Sequence, residues 1–577
     1  QVGLQTGAFI ELPLPTEIKI GLWGTVPQVQ AAKEKLRSWY SNSTKSALKE
    51  YWAKVYAAPS DRLRRVQERD HIRKAYLQRL RQDPRESDDF PVIGFFLWPI
   101  AEFTPDAVLG SNSEALDPIR TENECYIKFD RGRSLFKILS HSQTHIEGAL
   151  AQIRVTISEI VTRHLVPTKL YLLEPPRLPD LVKMEVAFSH SNTLSFRETE
   201  IHGKDVARVI PLLEGAVVGQ TERNHWEIFQ PSLDASNEHC IRRALIEVLT
   251  NMRFYRGLIK IRAHFGIMSF ETYKRPTEKN HSLQDFTSMI KNSQTVGELL
   301  KDLGNEERGA ALISRCCENN ELLYPIDATA FGLEDTAPDY TVSFELETRD
   351  KIGSVRLDLD FVEANTGNYV SMSHAWYKLE NTAIPRNGTA DVSRGRSPLD
   401  VNMIDLFGKA WQIAITTSNV VDPTKVTHSM EDFAKNVRLT KSTQGASTEY
   451  PSVDFKYNDI IVKCWVERTS FKYFLHGCRY ILEITRLRRF RKDATAQKIK
   501  AAVSWEASVY DPDWDAVLGG QRGLKIGHAG NWSPHLKTFF PTPPGVPALD
   551  ITDGFEDFLS KVKAVSRFVA DFRAEVE

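Results

Sequence analysis

The chain contains the run Phe90-Pro-Val-Ile-Gly-Phe-Phe-Leu-Trp98, whose apolar composition predicts a β-strand. It is followed by Thr104-Pro105-Asp106, which has the form of a helix start, with an N-cap threonine, a proline at the first helical position and an acidic first turn. This helix is predicted to break at Gly110-Ser111-Asn112-Ser113 and to restart from Glu114 to Glu122, where apolar residues recur at helical spacing. The stretch therefore predicts a strand and then two short helices that flank a tight loop.

Two further strands and a long helix follow. Apolar and polar residues alternate from Cys125 to Asp130 and from Leu135 to Leu139, on either side of the turn Arg131-Gly132-Arg133. Alternation of this kind predicts two half-buried strands. An apolar stripe from Ile146 to Val161 at helical spacing predicts an amphipathic helix.

The order strand, helix, loop, helix, strand, strand, helix resembles the type I KH module, an RNA-binding fold. In that family a GxxG loop lies between the two short helices, where small residues let the backbone approach nucleotide phosphates. Here the position holds Gly110, Ser111, Asn112 and Ser113, so the first glycine is present and the second is not. The resemblance implies that this loop contacts single-stranded RNA. The alternative is that Ser111 and Glu114 form a capping box, which satisfies the helix end without a ligand.

The end of the same pattern occurs at the start of the chain. Residues Thr6 to Leu12 and Glu17 to Trp23 predict two strands, and an apolar stripe from Val29 to Tyr40 predicts a helix. This is the second half of a KH-like module, and the chain starts at Gln1 rather than at a methionine, so we expect that the true N-terminus is missing. Two linked modules would bind single-stranded RNA more tightly than either module alone.

The rest of the chain predicts a larger domain. A helix from Cys240 to Met252 precedes two predicted strands, Leu258 to Ala263 and Ile267 to Tyr273. More strands are predicted at Tyr340 to Glu347, Gly353 to Val362, Tyr369 to Leu379, Ala410 to Thr416, Asp459 to Glu467 and Tyr480 to Ile484. Loops are predicted at Asn381 to Pro398 and Asp422 to Tyr450, and a final helix from Phe555 to about Ala574 is expected to dock on the sheet.

The predicted fold class is α+β, with tandem KH-like modules followed by a large mixed, mainly antiparallel α+β domain. We expect the C-terminal half of a KH-like module at 1–45, a basic helical linker at 46–88, a KH-like domain with a degenerate GxxG loop at 89–175 and the large domain at 176–577. A further division of the large domain near residue 330 is a candidate boundary.

Arginine clusters are the other candidate contacts with nucleic acid. The basic segment from Arg62 to Arg81 predicts a helix. The arginines on it that could follow the phosphates of a nucleic acid are Arg64, Arg65, Arg69 and Arg73. The alternative is a solvated helix face between two domains. Arg486, Arg488 and Arg489 are interleaved with Phe490, a combination that can stack unpaired bases, and the alternative is a charged strand end or loop. Arg120, Arg131 and Arg133 near the loop complete the predicted RNA-binding set.

A second resemblance covers the larger domain. Met252 to Gly266 and Tyr480 to Leu487 resemble a domain of unknown function in filamentous-fungal proteins that also carry KH modules. Phe90 to Asp117, with Phe96-Leu97-Trp98-Pro99, is similar to the region before that domain. The resemblance implies RNA association through the KH part and assigns no activity to the C-terminal domain.

Motifs for common enzyme classes are missing from the sequence. It contains no GxxxxGK[ST], GxSxG or HExxH motif and no GxGxxG behind a strand, so we expect no enzyme and no cofactor. His141 and His145 lack the further ligands that zinc needs. Asp511, Asp513 and Asp515 favour a turn over a cation site, because no EF-hand glycine and glutamate follow them.

Composition narrows the cellular setting. A net charge of −1 provides no global basic field, so any nucleic-acid surface must be local. The six cysteines form no CxxC pattern, which favours a reducing compartment, and no apolar run is long enough to span a bilayer. We expect a cytoplasmic or nuclear protein, and mitochondrial import stays open because the N-terminus looks incomplete.

Two functions follow from the sequence. The first is a non-enzymatic RNA-binding protein that holds single-stranded RNA with degenerate KH-like modules and local arginine clusters. The alternative is an interaction scaffold whose KH-like folds have lost nucleic-acid binding and contact protein partners instead.

Overall fold

The chain divides into a first unit, residues 1–150, and a second unit, residues 151–577. The structure is a computed structural model. It describes residues 2–11, 21–38, 59–85, 88–100, 104–164, 166–174, 182–191, 208–217, 220–273, 281–327, 330–348, 353–364, 368–379, 396–405, 409–440, 450–455, 460–492, 499–542 and 553–576.

The first unit begins with a short antiparallel pair of strands and then alternates helices and strands. Its elements are α1 (Val2–Thr6), β1 (Phe9–Glu11), β2 (Gly21–Trp23), α2 (26–38), α3 (Pro59–Arg81), β3 (Val92–Leu97), α4 (Pro105–Leu109), α5 (Asp117–Glu122), β4 (Tyr126–Asp130), β5 (Leu135–Ser140) and the start of α6 (Gln143–His164). From β3 onward the elements follow the order that the sequence predicts.

Strands β3, β5 and β4 form an antiparallel sheet with β5 in the centre. One face of this sheet is buried, and its side chains include Ile127, Phe136 and Ile138. A Cβ atom on Gly94 would lie 2.6 Å from Ile146 of α6, so only glycine lets β3 pack this closely against the helix. The alternating pattern of the strands and the apolar stripe of α6 thus meet in one core.

The C-terminal end of α3 packs on the other face of the sheet. Leu80 is 4% exposed and clusters with Tyr126, Leu139 and Phe90. Arg81 forms an ion pair with Asp117 of α5. The end of the basic helix is therefore part of the first unit, which the interpretation of 46–88 as a linker did not anticipate.

The second unit contains a large sheet and several helices. Its strands are β6 (Thr168–Leu173), β7 (Val182–Ser191), β8 (Arg208–Val217), β9 (Leu258–Thr272), β10 (His281–Ser282), β11 (Val296–Leu300), β12 (Leu323–Pro325), β13 (Asp339–Glu347), β14 (Ser354–Glu363), β15 (Tyr369–Lys378), β16 (Arg396–Ile404), β17 (Lys409–Val420), β18 (Arg438–Thr440), β19 (Ser452–Asp454), β20 (Ile461–Leu475), β21 (Ile481–Lys492) and β22 (Ile499–Tyr510). Its helices are α7 (Gln220–Met252), α8 (Leu283–Ile290), α9 (Glu306–Glu318), α10 (His428–Asn436), α11 (Pro512–Gly519), α12 (Leu536–Phe539) and α13 (Phe555–Val576).

Fifteen of the strands described for the second unit belong to one mixed and mainly antiparallel sheet, as the sequence predicts for this region, and part of it closes into a barrel. Eight of them pair in the order β9, β22, β21, β20, β13, β14, β15 and β17, and β17 pairs with β9 again. Every pairing around this ring is antiparallel, whereas β16 pairs in parallel with β6. At two places in the ring, which we call seams, neighbouring strands pair over only two residues each. Strands β9 and β22 share the pairs His264–Ser508 and Ala263–Val509. Strands β15 and β17 share Tyr377–Val420 and Lys378–Asn419.

Strand β9 is continuous where the sequence predicts two strands. The predicted break contains Gly266, but here this glycine lies inside the strand. A Cβ atom on Gly266 would lie 2.0 Å from the carbonyl oxygen of Leu300, the last residue of β11. The glycine therefore permits close backbone approach rather than ending the strand.

The outer face of the barrel is packed in hydrophobic cores. One core combines the outward side chains of β9, β17, β21 and β22 with those of α7, α9 and α13. The predicted docking of the final helix is confirmed, since Phe555, Phe558 and Val562 are fully buried in this core. Lys409 of β17 also donates a hydrogen bond to the carbonyl oxygen of Ala570.

A second core covers the outer face of β13 and β14. Met430, Phe433 and Ala434 of α10 fill it, although the sequence predicts a loop from Asp422 to Tyr450. That prediction is wrong for α10 because three buried apolar residues stabilise one short helix among polar neighbours. Residues 441–449 of this loop, and 381–395 of the other predicted loop, lie outside the described residues, and that second prediction is wrong from Arg396 to Pro398 because β16 begins at Arg396.

Across the described ranges, no helix has the length and apolar character needed to span a bilayer.

Candidate functional site

The predicted phosphate-contacting loop is a tight turn with a left-handed backbone. Gly110 has a φ of 81°, and Asn112 and Ser113 have φ values of 57° and 53°. Asparagine adopts this conformation readily, whereas serine does so at a cost. The capping-box interpretation is wrong, because the residues between Ser111 and Glu114 would need helical φ values; the α-helix starts only at Asp117.

Arg120 lies beneath this loop and holds it. Its side chain is buried, and its guanidinium group donates hydrogen bonds of 2.9 Å to the carbonyl oxygen of Ser113 and 3.2 Å to that of Asn112. Further bonds reach the carbonyl oxygen of Ile127 at 3.0 Å and the carboxylate of Asp117 at 2.7 Å. Burial lowers the pKa of Arg120, and the ion pair with Asp117 opposes this effect. The predicted contact of Arg120 with RNA is therefore corrected, since its donors face the interior of the module.

The other arginines near the loop are accessible. Arg131 is exposed and forms an ion pair of 2.9 Å with Asp106 of α4. Arg133 is exposed in a turn in which Asp130 accepts hydrogen bonds from the backbone of Gly132 and Arg133. Both side chains can reach a ligand.

Helix α3 contributes one predicted residue whose side chain is described. Arg73 is exposed. The side chains of Arg64, Arg65 and Arg69 lie outside the described part of the structure. Contact of all four residues with RNA stays a prediction.

The predicted C-terminal cluster lies in the barrel wall, in strand β21. Arg486 donates to Glu306 at 2.8 Å, Arg488 lies 3.5 Å from Glu467, and Arg489 donates to Ser504 at 2.6 Å. Phe490 is 8% exposed and stacks on Trp465 with ring centroids 4.8 Å apart. The cluster is neither a loop nor a strand end, and its predicted stacking of bases is corrected because Phe490 is covered.

The barrel has a polar interior, which the sequence interpretation did not identify. On β14, Val355, Leu357 and Leu359 point into the outer core and are buried, while Arg356 and Asp358 alternate with them and are more accessible. The strand register carries this alternation around the ring. The inward face carries Lys260, Arg262, Arg356, Arg468, Lys472 and Arg489 as cations, and Asp339, Glu345, Asp358, Asp360, Glu483 and Glu506 as carboxylates.

Most of these cations have a carboxylate partner. Arg262 donates to both oxygens of Asp515 of α11, at 3.0 and 2.5 Å, and its guanidinium carbon lies 3.9 Å from the ring centre of Tyr510. Lys472 donates to Asp339 at 2.6 Å, and Arg356 lies 3.1 Å from Asp358. Arg489 lies 3.3 Å from Glu506.

Lys260 and Arg468 differ from the other inward cations. Within the described residues, Lys260 has neither a hydrogen bond nor an ion pair, and Arg468 donates to the hydroxyl of Ser343 but has no carboxylate within ion-pair distance. Desolvation inside the barrel lowers the pKa of both side chains. Arg262 lowers the pKa of Lys260 further, whereas Asp515, Asp358 and Glu483 raise it. For Arg468, Asp358 and Glu506 raise the pKa, whereas Arg356 and Arg489 lower it. Lys260 is nevertheless exposed, because it faces the space inside the barrel.

A family model for a domain of unknown function, DUF7905, matches residues 224–544, which is more than half of the chain. The chain belongs to the DUF7905 family. All eight strands of the barrel lie inside the matched region. A comparison with curated proteins found no match.

Solved structures of the S. pombe Pct1 RNA triphosphatase have a low similarity to this DUF7905 protein. Pct1 in complex with the Spt5 CTD has 10% sequence identity, with 49% of this chain and 82% of that chain covered and a TM-score of 0.24. Pct1 without that partner has 12% identity, with coverage of 51% and 84% and a TM-score of 0.24. At this TM-score the likeness carries no argument about fold or function.

The polar interior of the DUF7905 barrel has a weak sequence signal. Lys260-Ile-Arg262-Ala-His264 and Arg356-Leu-Asp358-Leu-Asp360 alternate strictly between charged and apolar residues. Such alternation is usually assigned to one core face and one outer, solvated face. The charges become a site only because the sheet closes around them.

The aspartates that follow β22 lie at the start of helix α11, although the sequence predicts a turn there. Asp511 is the N-cap of α11 and accepts a hydrogen bond of 2.9 Å from the backbone nitrogen of Asp513. Burial raises the pKa of Asp511 to about 6, although Arg479 lies 2.5 Å away and opposes the rise. Within the ranges that the structure covers, no three metal-binding side chains come together.

Proposed function

We propose that this DUF7905 protein is a non-enzymatic RNA-binding protein that holds single-stranded RNA at a KH-like module formed by β3 to α6. The loop from Gly110 to Ser113 carries the proposal. In the same proposal, β1, β2 and α2 form the second half of a preceding KH-like module, so that the modules stand in tandem.

Backbone strain in the loop supports a role in binding. A non-glycine residue in the left-handed region costs roughly 1–2 kcal/mol, and such strain persists where the surrounding structure holds it and often marks a functional site. Here Arg120 binds the carbonyl groups of Asn112 and Ser113. These carbonyl oxygens are therefore turned into the module and do not repel an approaching phosphate.

The outer face of the sheet offers a second contact. Phe95 is 57% exposed on β3 and stands opposite Lys137 of β5, which is also exposed. An exposed aromatic ring next to a cation can stack an unpaired base and attract its phosphate. We therefore include Phe95 and Lys137 with Arg131 and Arg133 in the proposed surface.

Binding of a short single-stranded RNA at two salt concentrations tests the proposal. Affinity should fall between roughly 50 and 200 mM salt, with a slope of about 0.7 per phosphate contacted. Asn112→Asp keeps the loop conformation, because aspartate also accepts positive φ, and adds a negative charge. It should weaken binding by about 1 kcal/mol, the size of a unit-charge repulsion at 4 Å in water.

The matched control is Asn531→Asp, the same chemical change at an exposed position in the second unit. It should leave RNA affinity unchanged. Affinity that does not depend on salt, or an Asn112→Asp variant that binds as well as the parent protein, would contradict the proposal.

The second candidate function is a protein-interaction scaffold, and the exposed row on β3 favours it. Ile93, Phe95 and Leu97 are 48%, 57% and 71% exposed, and β3 pairs with β5 on one side only among the described strands. Apolar side chains on a sheet edge are typical of surfaces that pair with another chain. This candidate predicts no salt-dependent RNA binding, so the same titration separates the two functions.

A further inference from the structure

We propose that the interior of the DUF7905 barrel is a binding site for one small, multiply charged phosphate compound. The site belongs to the second unit and is independent of the RNA contact proposed for the first. Its residues are Lys260, Arg356, Arg468 and Arg489, on strands β9, β14, β20 and β21.

The distribution of polarity around the barrel is the first observation. A barrel of eight strands has an interior just wide enough for packed side chains or for one small ligand. Here outward side chains such as Ile261, Leu357 and Ile484 are apolar and fully buried, while the inward face is mainly polar and also carries Leu487. The fold therefore takes its hydrophobic stabilisation from the outer face, and the inner face is free to carry charge.

The second observation is that a charged interior costs the folded protein free energy. Enclosed charges lose hydration, and apolar residues of similar volume would usually stabilise a protein at least as well as buried ion pairs do. A charged interior on several strands is therefore unexpected for stability alone. It is expected for a site that binds a charged ligand.

The sign of the ligand's charge follows from which inward side chains have an ion-pair partner. Lys472 and Arg262 are neutralised by Asp339 and Asp515. In contrast, Lys260 has no ion-pair partner among the described residues, and Arg468 has only a hydroxyl partner. The inward carboxylates have partners: Asp358 lies by Arg356, Glu506 by Arg489 and Glu483 by Lys472, and Asp360 accepts hydrogen bonds from the hydroxyls of Thr341 and Ser373. Lys260 is left without such a partner among the described residues, and the partner that a cation lacks is an anion.

The arginines specify the chemistry of that anion. Arg468 lies near enough to Arg356 and Arg489 for their charges to disfavour its own, while Asp358 and Glu506 act in the opposite direction. A phosphate group removes such repulsion, because guanidinium groups bind its oxygens through paired N–H donors. Several cations on different strands match an anion with several charges better than they match a single carboxylate.

The size of the ligand is limited by the space inside the barrel. Lys260 is exposed although charges from other strands surround it, so solvent reaches this residue inside the barrel. An eight-stranded barrel leaves no room for a folded nucleic acid. The ligand is thus a compact phosphate compound rather than a polymer bound along its length.

Thermal unfolding of the full chain with tripolyphosphate, inorganic phosphate or citrate tests the site, with sodium chloride at equal ionic strength as the reference. A ligand that binds only the folded protein raises the midpoint with concentration. Tripolyphosphate should raise it most, inorganic phosphate less, and citrate no more than sodium chloride. An equal rise with citrate overturns the phosphate assignment, and no rise with either phosphate overturns the site.

Arg468→Met is the decisive variant, since it removes an unmatched cation and keeps the volume of the side chain. Calorimetric titration should show at least a tenfold loss of tripolyphosphate affinity. Lys260→Met should give the same loss, so the test does not depend on the folding of one variant. Lys525→Met removes an exposed lysine outside the barrel and should leave affinity unchanged. Unchanged affinity in both barrel variants would overturn the proposal.

Discussion

Arg120 has a role that follows from its surroundings rather than from its residue type. In the sequence it is one of several arginines near a loop that resembles a phosphate-binding loop. In the fold its guanidinium group is enclosed, and it joins α5, β4 and the loop through backbone carbonyl groups. Sequence spacing locates the loop, but it cannot distinguish an arginine that contacts a ligand from one that supports the loop from below.

Arg120→Met should destabilise the first unit by about 2–4 kcal/mol, because it leaves buried carbonyl oxygens and Asp117 without their donor. Cys125 provides a local readout, since its thiol is fully buried and burial raises its pKa to about 12. The variant should expose Cys125 to a thiol reagent at lower urea concentration, as measured by mass spectrometry. Arg133→Met changes an exposed arginine and should shift this concentration little; equal labelling of both variants would contradict the role of Arg120.

Elements were predictable where a short stretch of sequence decides their packing. The strands and helices from β3 to α6 follow directly from local alternation and helical stripes, as does α13. Helix α10 was missed, because the anchoring residues Met430, Phe433 and Ala434 are spread among polar neighbours, and the core that they fill is formed by β13 and β14. The continuity of β9 was missed because the reason for Gly266 lies on another strand.

Gly266→Ala should destabilise the second unit by about 1–3 kcal/mol, because the added methyl group collides with the backbone of Leu300 and β11 has to move. Gly519→Ala is the matched control. A Cβ atom on Gly519 meets nothing within 4 Å, and its φ of −60° suits alanine. This control should be neutral or slightly stabilising in urea denaturation. If both variants unfold at the same urea concentration, the close approach is not the reason for Gly266.

Closure of the barrel is a property of the whole molecule, and it could not be predicted from the sequence. The pairing between β9 and β17 joins residues far apart in the chain, as Ile261 and Ile415 illustrate. Neither strand contains a signal for its partner. The alternation of apolar and polar residues determines which face of the sheet a side chain lies on, but not which strand pairs with it. The candidate site inside the barrel depends on this closure, so the alternation of charged and apolar residues is visible in the sequence but the enclosure of the charged residues is not.

The two narrow seams predict where the closed sheet opens first. The amide hydrogen of Val421, which donates to the carbonyl oxygen of Trp376 where β15 meets β17, should exchange faster than those in the long pairing of β20 with β21. The reason is that few backbone hydrogen bonds close the ring at the seams. Hydrogen exchange followed by mass spectrometry measures this difference. Uniform exchange around the ring would mean that the seams are as stable as the rest of the sheet.

The buried outer face of the barrel determines which fragment of the chain can be expressed alone. Residues 224–544 match the family model, but Phe555, Phe558 and Val562 lie beyond that range and are fully buried against the barrel. A fragment cut at the family limits would expose these apolar contact areas to water and is expected to aggregate. The smallest soluble fragment should therefore extend through α13, and the limits of the family match should not be used as cloning limits.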